Sequence, residues 1–469
     1  MNTMSETEME SKWEIASTKK MISYSFGFVI FSYLNNVFAL SVFYFYEVEI
    51  GLPINLLGIS FVIYAIWSMI NYPLLGYLTD RPIPVMKKWG MRAPWIMISA
   101  FLSVIFFYLI YTPPIYDAKT NPWPIFWYML IMTCLFDTFF TIFNEHFIGG
   151  FVNQFREDSE RRRASGISMI FSGIILFFMG FIWPLTIIYG DRSTFVLAAL
   201  IAILVLIVCI IIIIPGISES EEAKARYLKG RMEEKTTSFW KMMKPIFRQK
   251  NFRSSLIAGI LGGIAGALGL ASGIYFMKDV LRLPLYFSIF TSMAYFISFF
   301  VAIPFWLNFM RKHGHVKTYI LGLFLAGLSL IPYLWITTLE EAIILSFVRG
   351  AIDSSISIVI LMIISDVYDE VTLITGKHQE ATLLGIRMFF VRTSIIFQAI
   401  IITWVHIATG YNPDPHAVQS ATAVWGIRVH TVLIPMICIF LSGLVMLFFY
   451  DLKGEKQKAL KKKLRERGL

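Results

Sequence analysis

Every second gap between the apolar runs of this chain is nearly free of lysine and arginine. Of the 41 Lys and Arg, 33 fall in the N-terminal tail, alternate gaps and the C-terminal tail, 5 in the other gaps and 3 inside apolar runs. A soluble domain has no reason to sort its cations in this way; a chain threaded repeatedly through a bilayer does. Cysteine is scarce as well. Cys134, Cys209 and Cys438 all lie within apolar runs, so neither a disulfide framework nor a Cys/His metal site is expected. The chain lacks H-E-x-x-H, G-x-S-x-G and a G-x-G-x-x-G following a strand, which removes the recognisable catalytic constellations, and no enzyme or cofactor is expected. No small-residue cleavage site follows the first apolar run, which therefore reads as an uncleaved anchor.

What is present is length. Apolar runs near 21–46, 53–79, 93–112, 123–149, 166–190, 193–215, 254–277, 283–309, 318–338, 340–365, 381–408 and 428–451 can each cross about 30 Å of hydrocarbon at about 1.5 Å per residue. An unpaired amide in hydrocarbon costs several kcal/mol, so all twelve are expected to be helices. With 57% hydrophobic residues and a mean hydropathy of +0.67, the expected class is an all-α polytopic membrane protein. The net charge of +10 is explained by topology and by attraction to anionic lipid headgroups; nucleic-acid binding is not supported.

The longest hydrophilic stretch, 217–253, separates six spans from six. The expected organisation is a tail 1–20, a six-helix half 21–216, a linker 217–253, a second half 254–451 and a basic tail 452–469, with both termini on the cytoplasmic side of a cell membrane. Six plus six with an inside linker is the layout of the major facilitator fold, whose halves rock about a central site. Twelve spans are enough for a monomer to enclose its own pathway. The gap after span 2, with Gly76, Asp80, Arg81 and Arg92, fits a cytoplasmic gate in which a carboxylate accepts hydrogen bonds from an arginine or a helix end. The gap at Arg311-Lys312-His313-Gly314-His315 holds the equivalent place in the second half.

The segment Ser365-Asp366-Val367-Tyr368-Asp369-Glu370, continuing through Thr375-Gly376-Lys377 to Glu380 and Arg392, resembles the span 10–11 signature of the glycoside–pentoside–hexuronide:cation symporter family, typified by melibiose permease. Shorter matches at Tyr24-Ser25-Phe26-Gly27, Gly51-Leu52, Pro73, Gly76, Trp89-Gly90, Pro94-Trp95 and Glu160-Arg161 extend the resemblance over nearly the whole chain. It implies a secondary transporter for a small polar organic solute such as a sugar or glycoside, and adds Asp366 and Asp369 to the expected gate. The family pattern in span 2 is W-D-x-x-x-D-P, whereas this chain has Trp67-Ser68-Met69-Ile70-Asn71-Tyr72-Pro73. Both cation-binding carboxylates are gone. Hydroxyl and amide groups make a poor sodium site, so protons are the expected coupling ion, or none. Ser32 stands where the family carries a sugar-binding Asp, and Gly166–Gly190 contains no cation. Relatives that handle lipids make a lipid or lysolipid transporter, or a sensor on the same fold, the alternative.

A charge at bilayer depth costs about 2.5–3.5 kcal/mol on insertion scales and so faces a partner or a wet cavity. Span 4 aligns Asp137, Thr141, Asn144 and Glu145 on one face. Span 10 aligns Arg349 and Asp353, leaving two possible pairs, Asp353 with Arg349 or with Arg392. Substrate contacts are expected from Ser32, Asn35 and Asn36 of span 1, Asp137 and Asn144 of span 4, and Arg392 of span 11; Asp137, Glu145 and Asp353 are the coupling candidates. Arg387 is expected to snorkel to the interface. The glycines of span 7, from Gly259 to Gly273, are expected to permit tight packing. Phe43-Tyr44-Phe45-Tyr46 reads as part of an interfacial belt, and Tyr24, Tyr64, Tyr72 and Trp404 are candidates to stack on a sugar face.

Overall fold

The computed structural model describes residues 16–79, 90–155, 158–219, 246–375 and 380–467. Among the described residues twelve helices are long and apolar enough to cross a membrane: Thr18–Glu49, Ile54–Tyr72, Ala93–Ile110, Trp123–Phe151, Ser159–Thr186, Arg192–Ile217, Lys250–Ala271, Leu285–His313, His315–Leu334, Leu339–Ile374, Leu383–Thr409 and Ala421–Phe449, here spans 1 to 12. Among the described residues no strand occurs, and the chain is a multi-pass helical membrane protein. The linker expected over 217–253 falls mostly on residues outside those described, as does most of the 1–20 tail.

Packing repeats with an offset of six. Span 1 packs on 5 and 6, span 2 on 4, and span 3 on 4 and 6; span 7 packs on 11 and 12, span 8 on 10, and span 9 on 10 and 12. The halves meet where span 1 touches 7, span 2 touches 11, and the end of span 5 touches the start of span 8. The repeat reaches backbone detail. Span 7 runs on past Ala271 through the short helix Gly273–Tyr275, and spans 1 and 7 then both end in a π-helical turn, Phe45–Glu49 and Phe276–Val280. Each then passes through a residue of positive φ, Gly51 at 77° and Arg282 at 56°, and the next N–H, of Leu52 or Leu283, donates back to the carbonyl of Tyr46 or Met277 at 2.9 Å. In this register Glu47 and Lys278 hold the same place.

An even number of spans puts both chain ends on one face, called here the terminal face; the other is the far face. The described residues of the C-terminal tail form a helix, Glu455–Arg467, that packs on the terminal end of span 10. Helix continuity fails at two informative places. Span 10 breaks between Ser357 and Ile360, where Ser355 and Ser357 turn their hydroxyls onto the carbonyls of Ile352 and Asp353, a local bond that bends helices. Span 11 is interrupted at Arg392, between Glu380–Val391 and Thr393–Thr409.

Two expectations are corrected. Phe43, Tyr44, Phe45 and Tyr46 are buried, not interfacial, because span 1 is enclosed by its own half and by span 7; Tyr46 donates to the Ile110 carbonyl at 2.7 Å and Tyr44 meets Tyr275 edge-on. Of the span 7 glycines, Gly259 and Gly263 do admit Arg387 and Ser394 of span 11 at close range, but Gly262, Gly266 and Gly269 face open space.

Candidate functional site

One stripe of span 7 runs through Gly262, Gly266, Gly269 and Gly273. At its far end Gly273 meets Leu40 of span 1, on the opposite half, so the open part of the stripe below it faces the space between the halves. Leu40 shares a stripe of span 1 with Asn36 and Ser32, at intervals of four. Asn36 is exposed, and Ser32 and Asn35 are half-buried. These three therefore lie on or beside the wall opposite a glycine surface that presents no side chain.

A polar cluster forms where spans 2, 4 and 11 converge. Asp137, 1% exposed, accepts from Ser68 Oγ at 2.9 Å, from Asn71 Nδ2 at 2.9 Å and from Tyr64 at 3.5 Å. The Tyr72 hydroxyl accepts from Asn144 Nδ2 at 3.1 Å and from Arg392 Nη2 at 3.0 Å, and the guanidinium also lies over the Tyr72 ring, 5.1 Å from its centre. Asn144 Oδ1 and Thr141 Oγ1 are buried with no hydrogen-bond partner among the described residues. Ser68 and Tyr72 are the two positions at which the family pattern has carboxylates. Here the first carries a hydroxyl bonded to the span 4 aspartate and the second a hydroxyl bonded to an arginine from the other half. Among the described residues no group of three or more His, Cys, Asp or Glu could hold a metal ion.

The predicted site residues are thus brought together in part. Asp137, Asn144 and Arg392 share one cluster, and span 1 supplies the facing wall. Glu145 lies eight residues beyond Asp137, about 12 Å nearer the terminal face. Asp353 takes the first of its two possible partners: Arg349 Nε donates to it at 2.7 Å and Tyr295 at 3.3 Å, while Arg349 Nη1 caps the Ala326 carbonyl at 2.9 Å. That arrangement ties spans 8, 9 and 10 together within one half, away from Arg392. Arg387 does not snorkel; it donates to the Ser255 carbonyl at 3.2 Å across the gap that Gly259 leaves. Of the stacking candidates only Tyr72 reaches the cluster through its ring and hydroxyl together. Tyr24 is buried with its hydroxyl on the Phe147 carbonyl, Tyr64 serves Asp137, and Trp404 is 72% exposed.

On the terminal face, Asp80 and Arg81 lie outside the described residues, and Gly76 is in the last turns of the helix Ile54–Thr79. The Met91 and Arg92 N–H groups donate to Glu219 at 3.0 and 2.8 Å, so the carboxylate just past span 6 caps the start of span 3. Asp366 is buried and bonded to His315 at 2.7 Å and to Gln457 of the tail helix at 2.7 Å; Asp369 is half-buried one turn on. Neither Glu219 nor Gln457 was signalled by pattern, since each sits in an ordinary hydrophilic stretch.

Among the described residues, contacts between the halves are made at mid-depth and on the far face, and the terminal half of span 11 also packs on span 2. Gly58 admits Thr403, Tyr44 meets Tyr275, Phe177 meets Phe296, and Glu47 takes hydrogen bonds from Tyr275 and His406. The far face is closed. The buried Glu47–His406–His430 group escaped the sequence reading; the signal available was that three of the chain's 7 histidines fall inside apolar runs, two of them, His406 and His430, toward the cation-poor side.

A family model described as MFS/sugar transport protein matches residues 23–454. The inner membrane symporter YicJ of Escherichia coli (strain K12) is 21% identical over 459 residues, covering 97% of this chain and 96% of its own. Sodium-dependent lysophosphatidylcholine symporter 1 of Xenopus tropicalis is 21% identical over 457 residues, 85% of this chain and 80% of that protein. Among solved structures, the nucleoside transporter NupG superposes with a TM-score of 0.61 at 12% identity, over 92% of this chain and 100% of that one. The D-xylose-proton symporter gives 0.61 at 11%, over 92% and 98%. The fold is the major facilitator fold.

Proposed function

Because the chain belongs to the MFS/sugar transport protein family, we propose that it is a secondary transporter moving a small polar solute of the sugar or glycoside class by alternating access, coupled to protons and not to sodium. The observation that carries this reading is the contact of Arg392 with Tyr72. It joins the two halves at mid-depth, inside a cluster with a buried acceptor, Asn144 Oδ1, that no described residue satisfies. A hydroxylated solute offers the donor such an acceptor needs, and Ser32, Asn35 and Asn36 offer amide and hydroxyl groups from the facing wall. Sodium is disfavoured because Asp137 is already ringed by three donors and lies within electrostatic reach of the Arg392 guanidinium. With both termini cytoplasmic in a cell membrane, the closed far face is the outer one, and twelve spans suffice for a monomer to enclose the pathway.

Uptake into proteoliposomes, with labelled glycosides, pentosides and uronic acids under a pH gradient, a sodium gradient or none, tests it. Saturable uptake accelerated by the pH gradient alone is expected. Acceleration by sodium alone would overturn the proton assignment, and no flux of any sugar would overturn the solute class.

A lysolipid substrate is the second reading, and two observations favour it. One is the likeness to lysophosphatidylcholine symporters. The other is the side formed by spans 5 and 8, which bury only 17% and 6% of their most apolar stretches and carry exposed Ile170, Phe178, Phe300 and Phe305. An acyl chain could enter there while a polar head reached Arg392.

A further inference from the structure

We infer that Glu47, His406 and His430 form a proton-binding site that is complete only when the far face is closed, so that a single proton is taken up as the halves meet there and leaves through Ser272 toward the space between the halves. This rests on the proton-driven reading above and locates its coupling site away from Asp137, Glu145 and Asp353.

Glu47 comes from span 1 and is 2% exposed. Its two oxygens accept from Tyr275 of span 7, at 2.5 Å, and from His406 Nδ1 of span 11, at 2.8 Å. His406 Nε2 faces His430 Nε2 of span 12 at 3.2 Å, and His430 Nδ1 faces Ser272 Oγ at 2.7 Å. Glu47 and all of its hydrogen-bond partners are thus on opposite halves. No described Lys or Arg pairs with Glu47. The charged and titratable neighbours are otherwise engaged: Lys278 pairs with Asp279 at 2.8 Å, Tyr411 stacks on His406 and donates to Asp279 at 3.0 Å, Tyr44 packs edge-on to Tyr275, Glu49 accepts from the Gly190 N–H, and Arg428 donates to the Tyr333 and Ile336 carbonyls.

The two facing Nε2 atoms fix the proton count. With both imidazoles neutral and Glu47 ionised, His406 donates through Nδ1 to Glu47 and accepts at Nε2 from His430, which in turn accepts at Nδ1 from the Ser272 hydroxyl. A proton delivered to His430 Nδ1 from the Ser272 side, with the Nε2 proton of His430 passing across to His406 Nε2, reverses those two bonds: His406 then donates to His430, and His430 donates to Ser272. The net charge of the buried group goes from −1 to zero. Another proton on the imidazoles would set N–H against N–H between the rings, so the pair holds one. A net charge of −1 is costly to bury, and one proton removes it. When the halves part, Glu47 meets water, its partners are removed, and the reason to hold the proton disappears. Ser272, the last member, adjoins Gly273 at the head of the glycine stripe, which leads toward the space between the halves.

Spin labels at Ile115 and Val418, exposed residues in far-face gaps of opposite halves, in a variant with Cys134, Cys209 and Cys438 replaced, report closure as a distance. The full chain in nanodiscs should show a short distance at pH 5.5 and a longer one at pH 8.5. Glu47→Gln, which brings the buried group to zero net charge without a proton, should stay short at both. Should it fail to fold, His406→Gln is read in its place and should lose the pH dependence. A parent distance unchanged between the two pH values, or a variant that keeps the parent's shift, overturns the proposal. Uphill uptake separates it from the reading on which it rests. Loss of pH-driven accumulation in Glu47→Gln with solute exchange retained is expected; accumulation retained overturns the site but leaves proton symport standing; a parent with no pH-driven flux but an intact distance shift overturns symport and leaves the proton site.

Discussion

Arg392 makes two contacts that a lysine could not make together, a hydrogen bond to the Tyr72 hydroxyl and a planar overlay on its ring. Arg392→Lys is therefore expected to lower uptake by at least about tenfold despite the retained charge. Tyr72→Phe keeps the ring but removes the acceptor shared by Asn144 and Arg392. A hydrogen bond to a charged group contributes about 1.5–3 kcal/mol, so a loss of about ten- to a hundredfold in kcat/KM for uptake is expected, and flux assays check both variants. Replacing Asp137 with leucine strips Ser68 and Asn71 of their acceptor and should lower thermal stability in detergent by about 2–4 kcal/mol. At this scale the sequence was legible where a polar residue interrupts an apolar run, because such an interruption needs a reason; Asp137, Asn144 and Arg392 were found in that way. Glu47 was not. It stands at a span end, where polar residues are ordinary, and its partner His406 is 359 positions away.

Elements were read more easily than sites, since a run of about 20 apolar residues has one acceptable state in lipid. What hydropathy does not encode is the irregularity within a span. The π turns at Glu47, Lys278 and His430 and the interruption at Arg392 depend on which neighbour each side chain must reach. The matching turns after spans 1 and 7 escaped notice because one uses Gly51 and the other Arg282. An arginine at φ 56° is strained, so Arg282→Gly should stabilise the protein by about 0.5–1 kcal/mol, read as a higher midpoint of thermal unfolding. The Asp451 carboxyl, outside the spans, is held below its ordinary range by the hydrogen bond from Lys250. A lowered carboxylate pKa gives stability that is complete above the ordinary value of about 4 and is lost as pH falls through the lowered one. Lys250→Gln should accordingly leave any pH dependence between 5.5 and 8.5 unchanged, and a far-face distance that shifts in that window draws its titration from elsewhere.

In the whole molecule, the six-helix repeat sets out two halves with the same packing and opposite charges at equivalent positions, Glu47 and Lys278. The long hydrophilic stretch 217–253 implied the two-half layout, and the charge ladder its orientation. It carried no information about which face is closed, because closure is decided by contacts between residues hundreds of positions apart. The closed far face has an electrical consequence. If an uncharged solute travels with one proton that enters as the far face closes and leaves on the terminal side, each cycle carries one positive charge across the bilayer, and a membrane potential does work on it of about 2.3 kcal/mol per 100 mV. A valinomycin-imposed potential, negative inside and with no pH difference, should then by itself drive accumulation of about fiftyfold at 100 mV, and reversing its sign should empty the vesicles.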